Sequence, residues 1–310
     1  VSVAVGRAVT VDVPASSANL GVGFDCLALA LDLHLRVSVE VIEGPESSLS
    51  VEGEGRARLA LDESNRFMAG LRAGWREADG GSPPALAIAM DNEIPLGRGL
   101  GSSAAATVAG LVAAETLIGA AIADDRLIEL AAAIEGHPDN AAAALLGGFV
   151  LFGAGRATGF DPPPALLAVV FVPERELATS DMRAVLPEQV PLADAVANAA
   201  GVGALVAAFA GGELSLLRAM SGDRLHEPYR AAVYPELPLL KAAALRAGAL
   251  GCALSGAGSS VIALADQDHA QAVALALDEV AEQSAMAGTV RVIAPTGRGA
   301  VTELQEASTR

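Results

Sequence analysis

The chain has 310 residues, 37 of them acidic and 20 basic, for a formal charge of −17. At 52% hydrophobic and 18% charged it carries the apolar content of a packed core, which excludes a disordered chain. The acidity argues against a nucleic-acid partner, since a phosphate backbone needs a basic face. It leaves room for a small anion held locally by a few arginines and backbone N–H groups.

Residues 1–13 alternate and are β-branched, which predicts a strand. Small polar residues and glycines over 14–23 predict a loop, and a second strand-like run fills 26–40. Residues 44–62 read as turns and short strands. Phe67, Leu71 and Trp75 recur at helical spacing, so 65–79 is expected to be a helix. A strand over 83–90 leads to a glycine-rich turn over 95–101, from which Ser102 and Ser103 open a long alanine-rich helix to residue 118. The apolar stretch 104–123 carries Glu115 and is rich in Ala and Gly, so a buried helix explains it better than a membrane span. Helices over 124–134 and 140–146 follow, the first opened by Asp124 and the second ended by Gly147-Gly148, before a strand over 149–152.

Glycines and three consecutive prolines over 153–164 mark a domain boundary. We place an N-terminal domain over 1–158 and a C-terminal domain over 159–310. The second half reads as a strand over 165–172, helices over 193–210, 214–220 and 237–247, a glycine turn at 256–258, a strand over 261–264, a helix over 269–284 and a strand over 289–293. The whole is an α+β protein of two domains without internal repeats. Cys26 and Cys252 form no CxxC pair and are expected as buried, reduced thiols. The N-terminus lacks a basic segment followed by an apolar one, so no signal peptide and no membrane partner are expected, and the cytoplasm is the default compartment. A homodimer is expected on base rate.

The segment with the clearest chemistry is PLGRGLGSSAA over 95–105. Gly97, Gly99 and Gly101 let the backbone turn with positive φ and approach a ligand without Cβ clashes. The helix that follows aims unpaired N–H groups and its positive dipole end at whatever sits in the loop. That is an anion site, and a nucleotide phosphate is the obvious anion. Neither common phosphate loop is present: no Lys follows these glycines as in GxxxxGK[ST], and the spacing GxGxG departs from GxGxxG.

At this point the sequence resembles the GHMP kinase superfamily, whose PxxxGLGSSAA signature is matched over 95–105. VPASSANLGVGFD over 13–25 is similar to the family's first motif, and LSGAGSS over 254–260 to its third. EGHPDN over 135–140 and the first motif take the form typical of members that phosphorylate L-homoserine. The resemblance implies an N-terminal domain like ribosomal protein S5 domain 2, a C-terminal ferredoxin-like domain and an active site in the cleft between them. It implies transfer of a phosphoryl group from ATP to L-homoserine, with Mg²⁺. Other acceptors of the superfamily (mevalonate, a sugar or shikimate) and a non-catalytic binding module of the same fold are the alternatives.

The resemblance also implies roles. The nucleotide would lie on Pro95, Gly97, Arg98, Gly99, Leu100, Gly101, Ser102, Ser103 and Ala104, with Asn65 on the adenine side. Ser103 and Glu135 would hold the metal, a pairing that suits a hard cation preferring oxygen. Asp25 would receive the substrate ammonium and Asn19 would sit near the attacking hydroxyl. His137 and Asn140 would surround the amino acid, with Thr179 close by and Gly258 closing the third loop. Arg183 and Arg230 would take the substrate carboxylate, which their planar forks match. Asp139 is better read as a cap of the following helix. The chain lacks the Lys that many such members carry before the Ile-Pro of the loop, reading MDNEIP over 90–95, and Arg98 is the expected substitute charge. No compelling general base is visible, so orientation and electrostatics are expected to carry the reaction.

Overall fold

The computed structural model describes residues 3–305 apart from 61, 63 and 80. Val1 and Ser2, with which the first expected strand opens, lie outside them. In chain order come β1 (Ala8–Ala18), β2 (Leu27–Val41), β3 (Ser48–Gly53), α1 (Arg66–Asp79), β4 (Leu86–Asn92), α2 (Ser102–Ile118), α3 (Asp124–Glu135), α4 (Asp139–Leu146), β5 (Phe149–Gly153) and β6 (Arg156–Phe160). Then follow β7 (Leu167–Pro173), α5 (Thr179–Ala184), α6 (Leu192–Gly211), a 3₁₀ segment (Leu214–Gly222), α7 (Glu227–Arg230), α8 (Leu237–Arg246), β8 (Gly251–Leu254), β9 (Val261–Ala265), α9 (Ala270–Gln283), β10 (Gly288–Ile293) and β11 (Val301–Gln305).

The first sheet has the order β11-β1-β2-β4-β3, with β5 paired to β2 and β6 to β5. Its β3–β4 pair is parallel. The second sheet is antiparallel in the order β10-β7-β9-β8.

The loop expected from residue 14 is a correction: β1 continues to Ala18. Pro14 sits where the β1–β2 register shifts, a place where a missing N–H costs no ladder bond. Beyond it the small residues Ala15, Ser16, Ser17 and Ala18 are buried, so the strand has no polar face to betray it. Strand β2 shows both regimes of burial. Leu27 to Leu31 is buried on both faces, while the second half alternates. The extra face is covered because Ala28 and Ala30 meet Ile128 of α3 and Ala142 and Ala143 of α4.

Neither β6 nor β11 carries the apolar alternation that would announce it, and both are short and largely exposed. Strand β6 runs through the 158/159 junction, and β11 pairs antiparallel with β1. Residues 301–305 therefore complete the first sheet from the far end of the chain, and no single cut separates the two sheets.

Helix α2 is buried nearly all round, as its uniform apolarity demands. It lies so close to α1 that a Cβ on Gly110 would stand 2.1 Å from the carbonyl oxygen of Phe67. By length and composition α6 is apolar enough to cross a membrane. One of its faces packs inward: Phe209 stacks on Phe149 at 4.0 Å, and the buried Asn198 anchors Asp223. Leu192 and Val196 on another face are exposed. Cys252 is buried and Cys26 half-buried, and burial pushes their thiols up to about 12 and about 11. Both are thus poor nucleophiles.

Candidate active site

The three glycine- and serine-rich turns singled out by the sequence meet at one place. Backbone bonds stitch them together: Ser16 N–H donates to Leu100 O, Gly256 N–H to Ala18 O and Ser260 N–H to Arg98 O. The Ser255 hydroxyl donates to Gly99 O at 2.7 Å and lies 2.8 Å from the Ser17 hydroxyl. Ser16 donates to Asn140 Oδ1 at 2.9 Å, which ties in the start of α4.

Above these turns is a cleft of about 220 Å³. Its floor is the glycine loop. Gly97, Gly99 and Gly101 all take positive φ (66°, 73° and 72°). Gly101 is the N-cap of α2 and has no side chain to offer a cap bond, so the first-turn N–H groups stay available to an anion. Ser102, Ser103 and Ala104 line the cleft there, together with Pro95 and Leu100.

Glu135, at the end of α3, reaches the same helix start. It accepts hydrogen bonds from Ser103 Oγ and Thr107 Oγ1, each at 2.6 Å. Arg66 Nε stands 3.7 Å from its other side, and the carboxylate is 6% exposed. Ser103 and Glu135 line the cleft while Thr107 is buried behind them; one carboxylate and one hydroxyl give an all-oxygen pair beside the anion floor, which fits Mg²⁺ arriving with nucleotide phosphates.

The residues expected on the acceptor side also line the cleft. Asp25 and Arg183 form a bidentate pair at 2.7 and 3.0 Å. This pairing pushes the Arg183 guanidinium further up. Arg230 is buried and also lines the cleft; burial, with Arg183 nearby, brings its pKa down to about 10. Both guanidiniums stand 5.5 Å from the centre of the Phe24 ring. His137 holds Asp139 Oδ1 through Nδ1 at 2.7 Å, and that bond raises its pKa.

Every residue expected at the site lines this cleft except Asn65. Asn65 instead caps α1: its Oδ1 accepts Met68 N–H and its Nδ2 donates to Ala60 O. An Asn before an amphipathic helix is suited to this capping role, which stands beside the adenine-side expectation. Arg98 is present but its charge is spent elsewhere. Its guanidinium donates to the carbonyls of Leu96, Pro173 and Glu174 and pairs with Glu176 at 2.8 Å. Arg58 binds the same carboxylate, and the two arginines hold Glu176 down at about 2. Arg98 thus braces the loop against the second sheet instead of offering its charge to a phosphate. Asn19 is likewise engaged at both ends, with Gly256 O and with Asp25 N–H, and so fixes the turn that presents Asp25. Asp139 is the first residue of α4, where its carboxylate accepts Asn140 N–H.

Sequence reasoning missed Arg66, Thr107 and Phe24. Phe24 lay inside the first motif. Thr107 is one helical turn beyond Ser103, a spacing that places both hydroxyls on one face.

Residues 65–148 match the model of the GHMP kinases N-terminal domain, and 202–283 that of the GHMP kinases C-terminal domain. The chain is 40% identical over 297 residues to a homoserine kinase of Trichormus variabilis, covering 94% of this chain and 98% of that protein. It is 46% identical over 273 residues to a homoserine kinase of Streptomyces coelicolor, covering 86% and 87%. A crystal structure of homoserine kinase from Cytophaga hutchinsonii superposes with a TM-score of 0.83 at 33% identity, covering 96% and 97%.

Proposed function

The chain belongs to the GHMP kinase family, and from that premise we infer that it transfers the γ-phosphoryl group of ATP to the side-chain hydroxyl of L-homoserine, giving O-phospho-L-homoserine, a step toward threonine. The observation that carries this reading is a single cleft that joins an anion-binding helix start to Asp25, Arg183 and Arg230. A small zwitterion answers these three side chains. Its ammonium suits Asp25 and its carboxylate suits the two arginines. Without substrate, Asp25 and Arg183 satisfy one another. A bound zwitterion exchanges that one pair for two, so neither charge is left unmatched. Mevalonate brings a carboxylate but no ammonium, and a neutral sugar brings neither.

The nucleotide's phosphates lie against the N–H groups of the glycine loop and of α2's first turn. Ser103 and Glu135 are the side chains that would hold Mg²⁺, with the buried Thr107 orienting the carboxylate; the ion neutralises phosphoryl oxygens when bound. The protein's own contribution is to bring acceptor and donor into line and to keep the acceptor's charges paired. Asp25 serves as the ammonium's partner and does not act as a base.

Phosphoryl transfer with L-homoserine, L-serine, mevalonate and galactose tests the reading. L-Homoserine is expected to give the highest kcat/KM, and a preference for mevalonate or galactose would overturn it. Glu135→Gln removes the carboxylate of the two proposed metal side chains. The expected result is an Mg²⁺ half-saturation raised by about tenfold, the ~1.4 kcal/mol scale of one weakened charge-assisted contact. An unchanged Mg²⁺ titration would remove Glu135 from the metal site.

A further inference from the structure

Arg230 is buried, and its usefulness to a carboxylate depends on which of its N–H groups remain free. Three are already committed. Nε donates to Met182 O at 3.2 Å, and Nη1 donates to Gly256 O and to His226 Nδ1, each at 3.0 Å. A guanidinium has five N–H donors, so among the described residues the two on Nη2 are the pair left for a ligand.

The contact to His226 determines the state of that ring. Nδ1 must be an acceptor, because Arg230 can only donate. Nε2 must then carry the proton, and it lies 2.8 Å from Gly21 O, an acceptor. A second proton would set N–H against N–H at Arg230. The nearest carboxylate does not require one. Asp223 lies 3.7 Å from Nε2 and already accepts four donors: Asn198 Nδ2 and the N–H groups of Leu225, His226 and Glu227. The ring is fully buried and tilts against Phe24 at 5.1 Å. Burial holds its pKa down at about 4. With both nitrogens engaged and no access to the cleft, it has no route to act as a base.

We propose that His226 is a positioning residue for the acceptor's carboxylate: as a neutral Nε2–H imidazole bridging Gly21 O to Arg230 Nη1, it orients the guanidinium so that Nη2 is presented to L-homoserine. The inference rests on the function proposed above. Through this one ring Gly21, in the first motif's turn, is tied to Arg230 at the end of α7.

Replacements that keep one nitrogen at a time separate this from mere packing. His226→Asn retains an acceptor near the Nδ1 position, and His226→Gln retains a donor near the Nε2 position. His226→Asn is expected to keep the homoserine KM within about threefold of the parent, while His226→Gln raises it tenfold or more. The ATP KM stays constant in both. Equal homoserine KM values for the two variants, or an ATP KM rising in step, would overturn the proposal. A measurement on the unaltered protein guards against variants that fail to fold. Among the four histidines, one ¹⁵N-labelled imidazole should show the neutral Nε2–H tautomer from pH 5 to 8, with its Nδ1 resonance shifting when L-homoserine is added. An imidazolium or an Nδ1–H tautomer at His226 refutes the bridge. If the parent enzyme failed to phosphorylate homoserine, the functional reading would fall, while the tautomer measurement would still decide the Arg230 contact.

Discussion

Gly99→Ala is expected to cut kcat/KM for ATP by about 10²-fold or more, the scale of a 1 Å misplacement of positioning groups, and to lower the melting temperature. A Cβ at this position would stand 2.2 Å from Ser255 O and 2.9 Å from Gly258 O. Both obstacles are backbone, so neither can swing aside as a side chain would. The φ of +73° adds strain for any L side chain. Left-handed backbone costs an alanine ~1–2 kcal/mol, and overpacking costs a further ~1–3 kcal/mol. The chain's escape is to part the phosphate loop from the third loop, which breaks the Ser255–Gly99 bond and moves the amides that face the phosphates. Steady-state kinetics with varied ATP, read beside thermal unfolding, checks this. Parent-like kinetics and melting would mean that the two loops do not meet as described.

Asp25→Asn should raise the homoserine KM by about 10–150-fold, the ~1.5–3 kcal/mol of a hydrogen bond to a charged group. The ATP KM should be nearly unchanged. Backbone strain does not confuse the result, because Asn tolerates the positive φ of 55° found here. Nor does stability, because the Asp25 and Arg183 side chains are 34% and 37% exposed and solvent screens such a pair. The variant therefore reports on the substrate. A lost ammonium partner appears in KM, whereas a lost base would appear in kcat. A collapse of kcat with KM intact would make Asp25 the general base and overturn the assignment made here.

The sequence alone was enough for the elements whose physics is local. The glycine loop and α2 were legible because positive φ and an alanine-rich helix start leave a direct mark on residue choice. Residues 65–79 were legible through Phe67, Leu71 and Trp75, all of which face the core or its helices. The family motifs placed most site residues because each motif is a short contiguous turn. Asn65 shows the limit of such reading: a helix cap and a ligand contact ask for the same kind of side chain, and only the tertiary structure shows the cap, through the bonds to Met68 and Ala60.

What the tertiary structure decided are the partnerships made at long range. Strand β11 has no strong pattern of its own, and its place follows from β1 having an open edge. Arg183 finds Asp25 across 158 positions, and His226 finds Gly21 across 205. Arg98 looked like a phosphate ligand from its position in the loop, yet carbonyls about 75 residues further on, at Pro173 and Glu174, take its donors. Local patterns record what a residue can do with its neighbours in the chain. Which charge or lone pair it finally meets depends on how two sheets dock, and that is fixed by the burial of the whole core.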